Sequence, residues 1–194
     1  MSLQESLKAI LPVGLKTWLR HLVSGRVSRA RRESNAWLRL HAAGIEGRVL
    51  SIGSGNDADK EGGRYCDYFA KAADYTTSEV SPERGTDLIL DVRAMPEVPN
   101  ASFDCVFSSG VLEHVDDFRA GLSEISRVLR PGGVLLLGLP FRQALHLAPH
   151  DYWRFTEYGI RYLLQDDYEI LDLRPMDESK PGFPAAYWVK ARRL

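Results

Sequence analysis

The chain has 194 residues, 44% of them hydrophobic, and a formal net charge of −1, which is enough to bury one substantial core and too little for two comfortable domains. Residues 1–42 hold eight Lys/Arg against Glu5 and Glu33, a net +6, and the remainder, with 17 Lys/Arg and 24 Asp/Glu, is −7; an acidic body behind a basic arm argues against nucleic acid as the partner. Two distant cysteines, Cys66 and Cys105, exclude a disulfide framework and a Cys-based zinc site, and the lack of an apolar run near 20 residues or of a signal-peptide pattern leads us to expect a cytoplasmic protein, at most peripheral to the inner face of the membrane.

In the arm, Leu3, Leu7, Ile10, Leu11, Leu15, Trp18, Leu19 and Leu22 follow helical spacing, with Pro12 as the joint between two short helices. The stripe with its basic flanks reads either as a cap on the core or as an amphipathic segment for an anionic membrane surface. The division expected is an arm over 1–42 and a second unit over 43–194. From Arg48 onward strands and helices alternate, the pattern of a parallel sheet with covering helices. Strands are expected at 48–53, 74–80, 87–92, 103–108, 134–140, 168–175 and 184–191, and helices at 35–43, 59–72, 116–130 and 156–165. Only Ser81 to Thr86 separate the second and third strands, fewer than a parallel crossover usually takes. Either no helix intervenes and the third strand is a short edge strand, or that strand is misassigned.

Val49-Leu-Ser-Ile-Gly-Ser-Gly-Asn-Asp57 is an apolar run ending in glycines at alternate positions. Gly53, Ser54 and Gly55 form a turn that lets a ligand approach the backbone, and with Ala58 the loop fits the loose dinucleotide fingerprint. Glu79 follows at about the offset where an acid reaches a ribose diol. Asp57 would meet a pyrophosphate at the helix N-terminus and repel it, which favours an adenosine ligand without phosphates. A nicotinamide-type dinucleotide and an oxidoreductase remain the alternative.

Together with Asp91-Val92, Phe103-Asp-Cys-Val-Phe, Val111-Leu-Glu-His-Val115 and Arg127-Val-Leu-Arg-Pro-Gly-Gly133, this order resembles the class I S-adenosylmethionine-dependent methyltransferases over roughly residues 45 to 140. It departs from them in Ser51, where an acid is usual, and in Asp57, where a third glycine is usual. The resemblance implies a Rossmann-like α/β fold with a seven-stranded, mostly parallel sheet, helices on both faces and the last strand antiparallel. It also implies S-adenosylmethionine as cofactor: Gly53, Ser54 and Gly55 under methionine and ribose, Glu79 at the ribose, Asp91 and Val92 at the adenine, and Ser109 and Gly110 facing the methionine end. A catalytically silent scaffold of the same fold is a further alternative.

Methyl transfer needs alignment of donor and acceptor, and a base where the acceptor carries a proton. His114 is one candidate, since imidazole titrates near neutrality. The long segment Phe141-Arg-Gln-Ala-Leu-His-Leu-Ala-Pro-His-Asp-Tyr-Trp-Arg-Phe-Thr156 offers others, a loop of a length seldom seen without a function. Here His150 and Asp151 read as a base with its orienting partner, Arg142 and Arg154 as anchors for an anionic acceptor, and Tyr152 and Trp153 as stacking surfaces. Alternatively Tyr152, Trp153 and Phe155 pin the loop to the core and Thr156 caps the next helix. His146, His150 and Asp151 could ligate a metal, but methyl transfer requires none and no metal is expected. The His-Asp-Tyr-Trp-Arg-Phe-Thr run resembles small bacterial methyltransferases associated with polysaccharide or glycolipid assembly, which implies a small-molecule or glycan acceptor methylated at oxygen.

Overall fold

A computed structural model describes residues 27–194; the leucine stripe, the Pro12 joint and most of the basic arm lie outside the described residues. Seven strands, β1 (Gly47–Ile52), β2 (Ala72–Glu79), β3 (Leu88–Ile89), β4 (Phe103–Ser109), β5 (Leu129–Pro140), β6 (Tyr168–Met176) and β7 (Ala186–Arg193), form one sheet in the order β3-β2-β1-β4-β5-β7-β6. All neighbours pair in parallel except β7, which runs antiparallel to both β5 and β6. The central strands β1, β4 and β5 are buried on both faces, which is why they read as near-continuous apolar runs.

One face of the sheet, with Leu50, Ile52, Val106, Leu135 and Leu137, packs against Ile125 and Val128 of α2 (Phe118–Val128) and Ile160 and Leu164 of α3 (Glu157–Leu164). The opposite face, with Val49, Cys105, Phe107, Leu136 and Trp188, packs against Trp37, Leu38 and Ala42 of α1 (Arg29–Ala42) and against Tyr65, Tyr68 and Phe69. Each helix begins where a side chain satisfies a free N–H: Ser28 accepts from Arg31, Asp117 from Ala120 and Thr156 from Gly159. The Ser28 cap explains why α1 starts six residues before the expected 35.

One expected helix is corrected, and one open alternative is decided. No α-helix covers 59–72; a turn-rich loop and a single 3-10 turn, Tyr65–Phe69, occupy the stretch, and β2 begins at Ala72. The cause is local competition, because the Asp59 carboxylate accepts the N–H groups of Glu61 (2.7 Å) and Gly63 (2.9 Å) and offers the backbone an alternative to helix. Between β2 and β3 no α-helix intervenes, only the 3-10 turn Pro82–Arg84, and β3 is a short edge strand, the first of the two alternatives, though of two residues rather than 87–92. The missing helix after β1 is replaced by α1, whose Asn35 amide donates to Asp59 O and Glu61 Oε2 and whose Arg39 reaches both carboxylates at 3.3 Å.

Burial pushes the Asp59 carboxyl upward, but the Tyr68 hydroxyl, the N–H groups of Glu61 and Gly63 and the Arg39 guanidinium more than offset it and hold it at about 2. A carboxyl depressed on folding contributes stability above its unfolded value, and that contribution is lost as pH falls through the folded value. The difference in urea midpoint between wild type and Asp59→Asn is therefore expected to stay level from about pH 7 to 5 and to shrink between about pH 4 and 2. A difference that persists undiminished at pH 2 would show that the carboxylate charge does not hold this loop.

Candidate functional site

The carboxyl ends of β1, β2, β4 and β5 deliver Gly53, Glu79, Ser109 and Pro140 to one edge of the sheet, the edge at which open α/β folds bind ligands. Gly53 and Gly55 have φ of +67° and +58°, and a side-chain carbon at Gly53 would lie 2.2 Å from Val111 Cγ2. The glycine loop therefore rests directly on the segment that leads into the Leu112–His114 3-10 turn. Gly55 N–H donates to Glu79 Oε1 at 2.7 Å. Ser51, in the place of an acid, is buried and shares a hydrogen bond with the Ser54 hydroxyl at 2.9 Å, while its carbonyl accepts from Ser54 and Ser78.

Asp57 faces inward. Its carboxylate accepts from Cys66 N–H and the Tyr75 hydroxyl, with Arg64 at 3.5 Å. It fastens the loop rather than pointing at a ligand, and no helix N-terminus follows. At Asp91, the Arg93 side chain engages both carboxylate oxygens, and this hydrogen bonding lowers the carboxyl's pKa. Val92 is buried beside Gly121.

On the β4–β5 side a cavity of about 510 Å³ opens. Its walls include Arg31 from α1, Lys60, Ser109 and Gly110 at the end of β4, Glu113 and His114, Gly138 to Pro140 at the end of β5, Arg142, His146 and Trp188. Loop 141–155 is stitched onto the 112–115 segment: Glu113 O accepts the N–H groups of Tyr152 (2.8 Å) and Trp153 (3.2 Å), and the Trp153 indole donates to Val115 O at 2.9 Å. Trp153 also packs edge-on against Phe118, Phe155 is buried, and Thr156 caps α3. Docked in this way, the loop presents His146 to His114, ring centroids 4.7 Å apart.

His150 and Asp151 are not partners. The His150 ring is exposed and bonded through Nδ1 to the Tyr152 hydroxyl at 2.7 Å, whereas its carbonyl accepts from His114 Nδ1 at 2.5 Å. Asp151 takes Arg154 in a two-point pair at 2.6 and 2.8 Å and the His146 N–H at 2.8 Å. The Arg154 guanidinium holds the Asp151 carboxyl well below the usual carboxylate range, against the opposing effect of burial. Arg154 is thereby committed within the loop. Arg142 lines the cavity and is steadied by Phe183 O and Asp177 O.

Glu113 was not singled out from the sequence, where it reads as one letter of the Leu-Glu-His element. Its carboxyl, 3% exposed, has been pushed up to about 7 by burial, and Oε2 has no hydrogen-bond partner among the described residues. The available signal was a carboxylate among apolar neighbours at the carboxyl edge of the sheet.

Among known proteins, the family described as a methyltransferase domain matches residues 60–137. A Mycolicibacterium smegmatis protein named "Probable S-adenosylmethionine-dependent methyltransferase" is 34% identical over 123 residues, covering 57% of this chain and 48% of that protein. A Hahella chejuensis malonyl-acyl-carrier-protein O-methyltransferase is 46% identical over 57 residues, 29% of this chain and 20% of that enzyme. The chain thus spans about half the length of the first relative and a fifth of the second. The crystal structure of Burkholderia thailandensis 1,6-didemethyltoxoflavin-N1-methyltransferase, with 1,6-didemethyltoxoflavin and S-adenosylhomocysteine bound, superposes with a TM-score of 0.63 at 22% identity, covering 85% of this chain and 78% of that one. At that identity the likeness speaks for the fold alone.

Proposed function

We propose that the chain is a class I S-adenosylmethionine-dependent methyltransferase, a reading supported by the methyltransferase-domain match over residues 60–137 and the relatives above, and that it transfers a methyl group from S-adenosylmethionine to an oxygen of a small-molecule or glycan-type acceptor. The observation that carries this reading is the shared edge. The glycine loop with Glu79 lies on one side and the cavity on the other, and Gly53 packed on Val111 joins them.

The residues fit the cofactor. At Gly55 a side-chain carbon would meet nothing nearer than Glu79 Oε1 at 3.9 Å, so the loop surface is open. Glu79 spends Oε1 on the Gly55 N–H, and Oε2 makes no hydrogen bond among the described residues, which leaves an acceptor for a ribose hydroxyl. In this reading Gly53, Ser54 and Gly55 support methionine and ribose, Asp91 and Val92 border the adenine, and Ser109 and Gly110 border the methionine end. When bound, the cofactor supplies an electrophilic methyl group on a sulfonium. The chain's part is to align the acceptor, exclude water and draw off the proton of an acceptor hydroxyl. Glu113, His114 and His146 face the cavity for that last task. His150 acts through its carbonyl, which fixes the His114 ring, and Asp151 through its grip on His146. Arg31 and Lys60, beside Arg142 paired with Asp177 at 3.6 Å, give the wall a positive side that suits an acceptor bearing an anionic group, and the exposed Tyr152 and Trp153 rings offer a surface for a sugar.

A dinucleotide reading is less well served, because pyrophosphate binding uses a helix N-terminus that the loop after Gly55 does not provide. Calorimetry with S-adenosylhomocysteine and NAD side by side is expected to show binding of the former and none of the latter; tighter binding of NAD would overturn the assignment. A silent scaffold would bind S-adenosylhomocysteine yet turn over none of a panel of hydroxyl acceptors.

Among the described residues no helix is long and apolar enough to cross a membrane. The leucine stripe and basic flanks of residues 3–23 suit that part of the arm to an anionic membrane surface, whereas Arg29–Ala42 packs on the sheet as α1. The protein is then expected to float with anionic vesicles and to be released by salt, and equal recovery with neutral vesicles would return the arm to a capping role.

A further inference from the structure

We propose that Glu113, His114 and His146 form a binding site for a divalent first-row transition-metal ion, with its open coordination positions directed into the cavity. One ligand atom from each of the three side chains lies within 4.8 Å of those from the other two. His114 and Glu113 come from the turn after β4 and His146 from the loop after β5, so the cluster exists only because the loop is stitched to the turn.

Three further observations point to a cation. Both imidazoles have their Nδ1 turned toward groups that can only accept. His114 Nδ1 lies 2.5 Å from His150 O; His146 Nδ1 lies 3.2 Å from Ala144 O and 3.3 Å from Asp151 Oδ2. In the neutral form of each ring the proton is therefore on Nδ1, which leaves the lone pair on Nε2. Metal-ligating histidines are held in this way by a carbonyl or carboxylate behind the ring. The Asp151–Arg154 pair thereby acquires a purpose, since it fixes the carboxylate that orients His146. Finally, Glu113 is 3% exposed, its Oε2 has no partner among the described residues, and His114 Nε2 lies 3.9 Å from its Oε1. A buried carboxylate oxygen without a donor is costly, and a metal ion would relieve that cost.

Two imidazoles and one carboxylate form a donor set for zinc, manganese, iron(II), cobalt or nickel rather than for magnesium or calcium, which take oxygen donors. Bonds of about 2.0 to 2.2 Å bring donor atoms to roughly 3 to 3.5 Å from one another, so binding closes the cluster by about an ångström through rotation of loop-borne His146. Three protein ligands leave room for water or for an oxygen of the acceptor. This deepens the proposed methyl transfer and rests on it: the acceptor class becomes one that offers an oxygen to a metal, such as a sugar diol or a hydroxy acid, and with an ion bound the three side chains would promote loss of the acceptor hydroxyl's proton to water through the ion, which would lower that hydroxyl's pKa, rather than take the proton themselves.

The test uses the untagged chain of residues 1–194, stripped with chelator and titrated by calorimetry with zinc, manganese and cobalt(II) separately, with the cobalt(II) visible spectrum as a second readout. One equivalent of at least one of these ions is expected to bind. Glu113→Gln and His146→Ala are expected to weaken it tenfold or more, Asp151→Asn by about 10- to 100-fold through the lost orientation of His146, and His150→Ala, which removes a ring but not the carbonyl, to leave it unchanged. Circular dichroism and S-adenosylhomocysteine titration of each variant report that the fold persists. No binding of any of the three ions to the folded wild type, or undiminished binding in both Glu113→Gln and His146→Ala, would overturn the site. S-adenosylhomocysteine binding without metal binding removes the metal site and leaves the methyltransferase reading standing, and metal binding without S-adenosylhomocysteine binding does the reverse.

Discussion

Gly53→Ala is expected to lower S-adenosylhomocysteine affinity by about 10²-fold or more and to reduce thermal stability as well. A residue with a side chain at φ +67° costs about 1–2 kcal/mol in backbone strain. The added carbon would also lie 2.2 Å from Val111 Cγ2, so Val111 or the loop must move. Either movement separates the glycine loop from the 112–114 turn, and displacements of about 1 Å at a positioned site can cost 10²-fold. Calorimetry on the folded variant checks this. Wild-type affinity in Gly53→Ala would mean that the ligand does not rest on this loop.

Glu79→Ala should weaken S-adenosylhomocysteine by tenfold or more. A hydrogen bond to a charged group contributes about 1.5–3 kcal/mol, and the substitution removes two roles at once: the acceptor for Gly55 N–H at 2.7 Å and the free Oε2 offered to the ribose. Glu79→Gln keeps an oxygen for Gly55 but loses the charge, so its affinity is expected to fall between wild type and Glu79→Ala. If both variants bind as wild type does, Glu79 is a loop brace and the ribose lies elsewhere.

Most of the sheet was legible from the chain because its signals are local. Val49–Ile52, Phe103–Phe107 and Val134–Leu139 are apolar runs of strand length bounded by Gly, Pro or polar residues, and burial on both faces makes such runs continuous rather than alternating. The doubtful crossover after Val80 was also legible as a problem: a stretch too short for a helix became a 3-10 turn and an edge strand of two residues. The expected helix over 59–72 failed because Asp59 caps its own following turn and because Asn35 and Arg39, on a distant helix, complete that turn's hydrogen bonds.

The site divides along the same line. By itself the sequence determined the glycine loop, the acid at the end of β2, the Leu-Glu-His element and the presence of a histidine-rich loop after β5, since each is a matter of residue type and spacing within one segment. It paired His150 with Asp151 because they are adjacent in the chain. Adjacent residues in an extended loop point apart, and only the docking of Tyr152 and Trp153 N–H groups on Glu113 O decided that the His150 carbonyl, not its ring, meets His114, and that His146 takes Asp151. The partnership of Glu113, His114 and His146 is likewise a product of tertiary structure. It joins two strand ends whose distance is set by the β4–β5 pairing, and the burial that leaves Glu113 Oε2 without a partner exists only once the loop has closed over it.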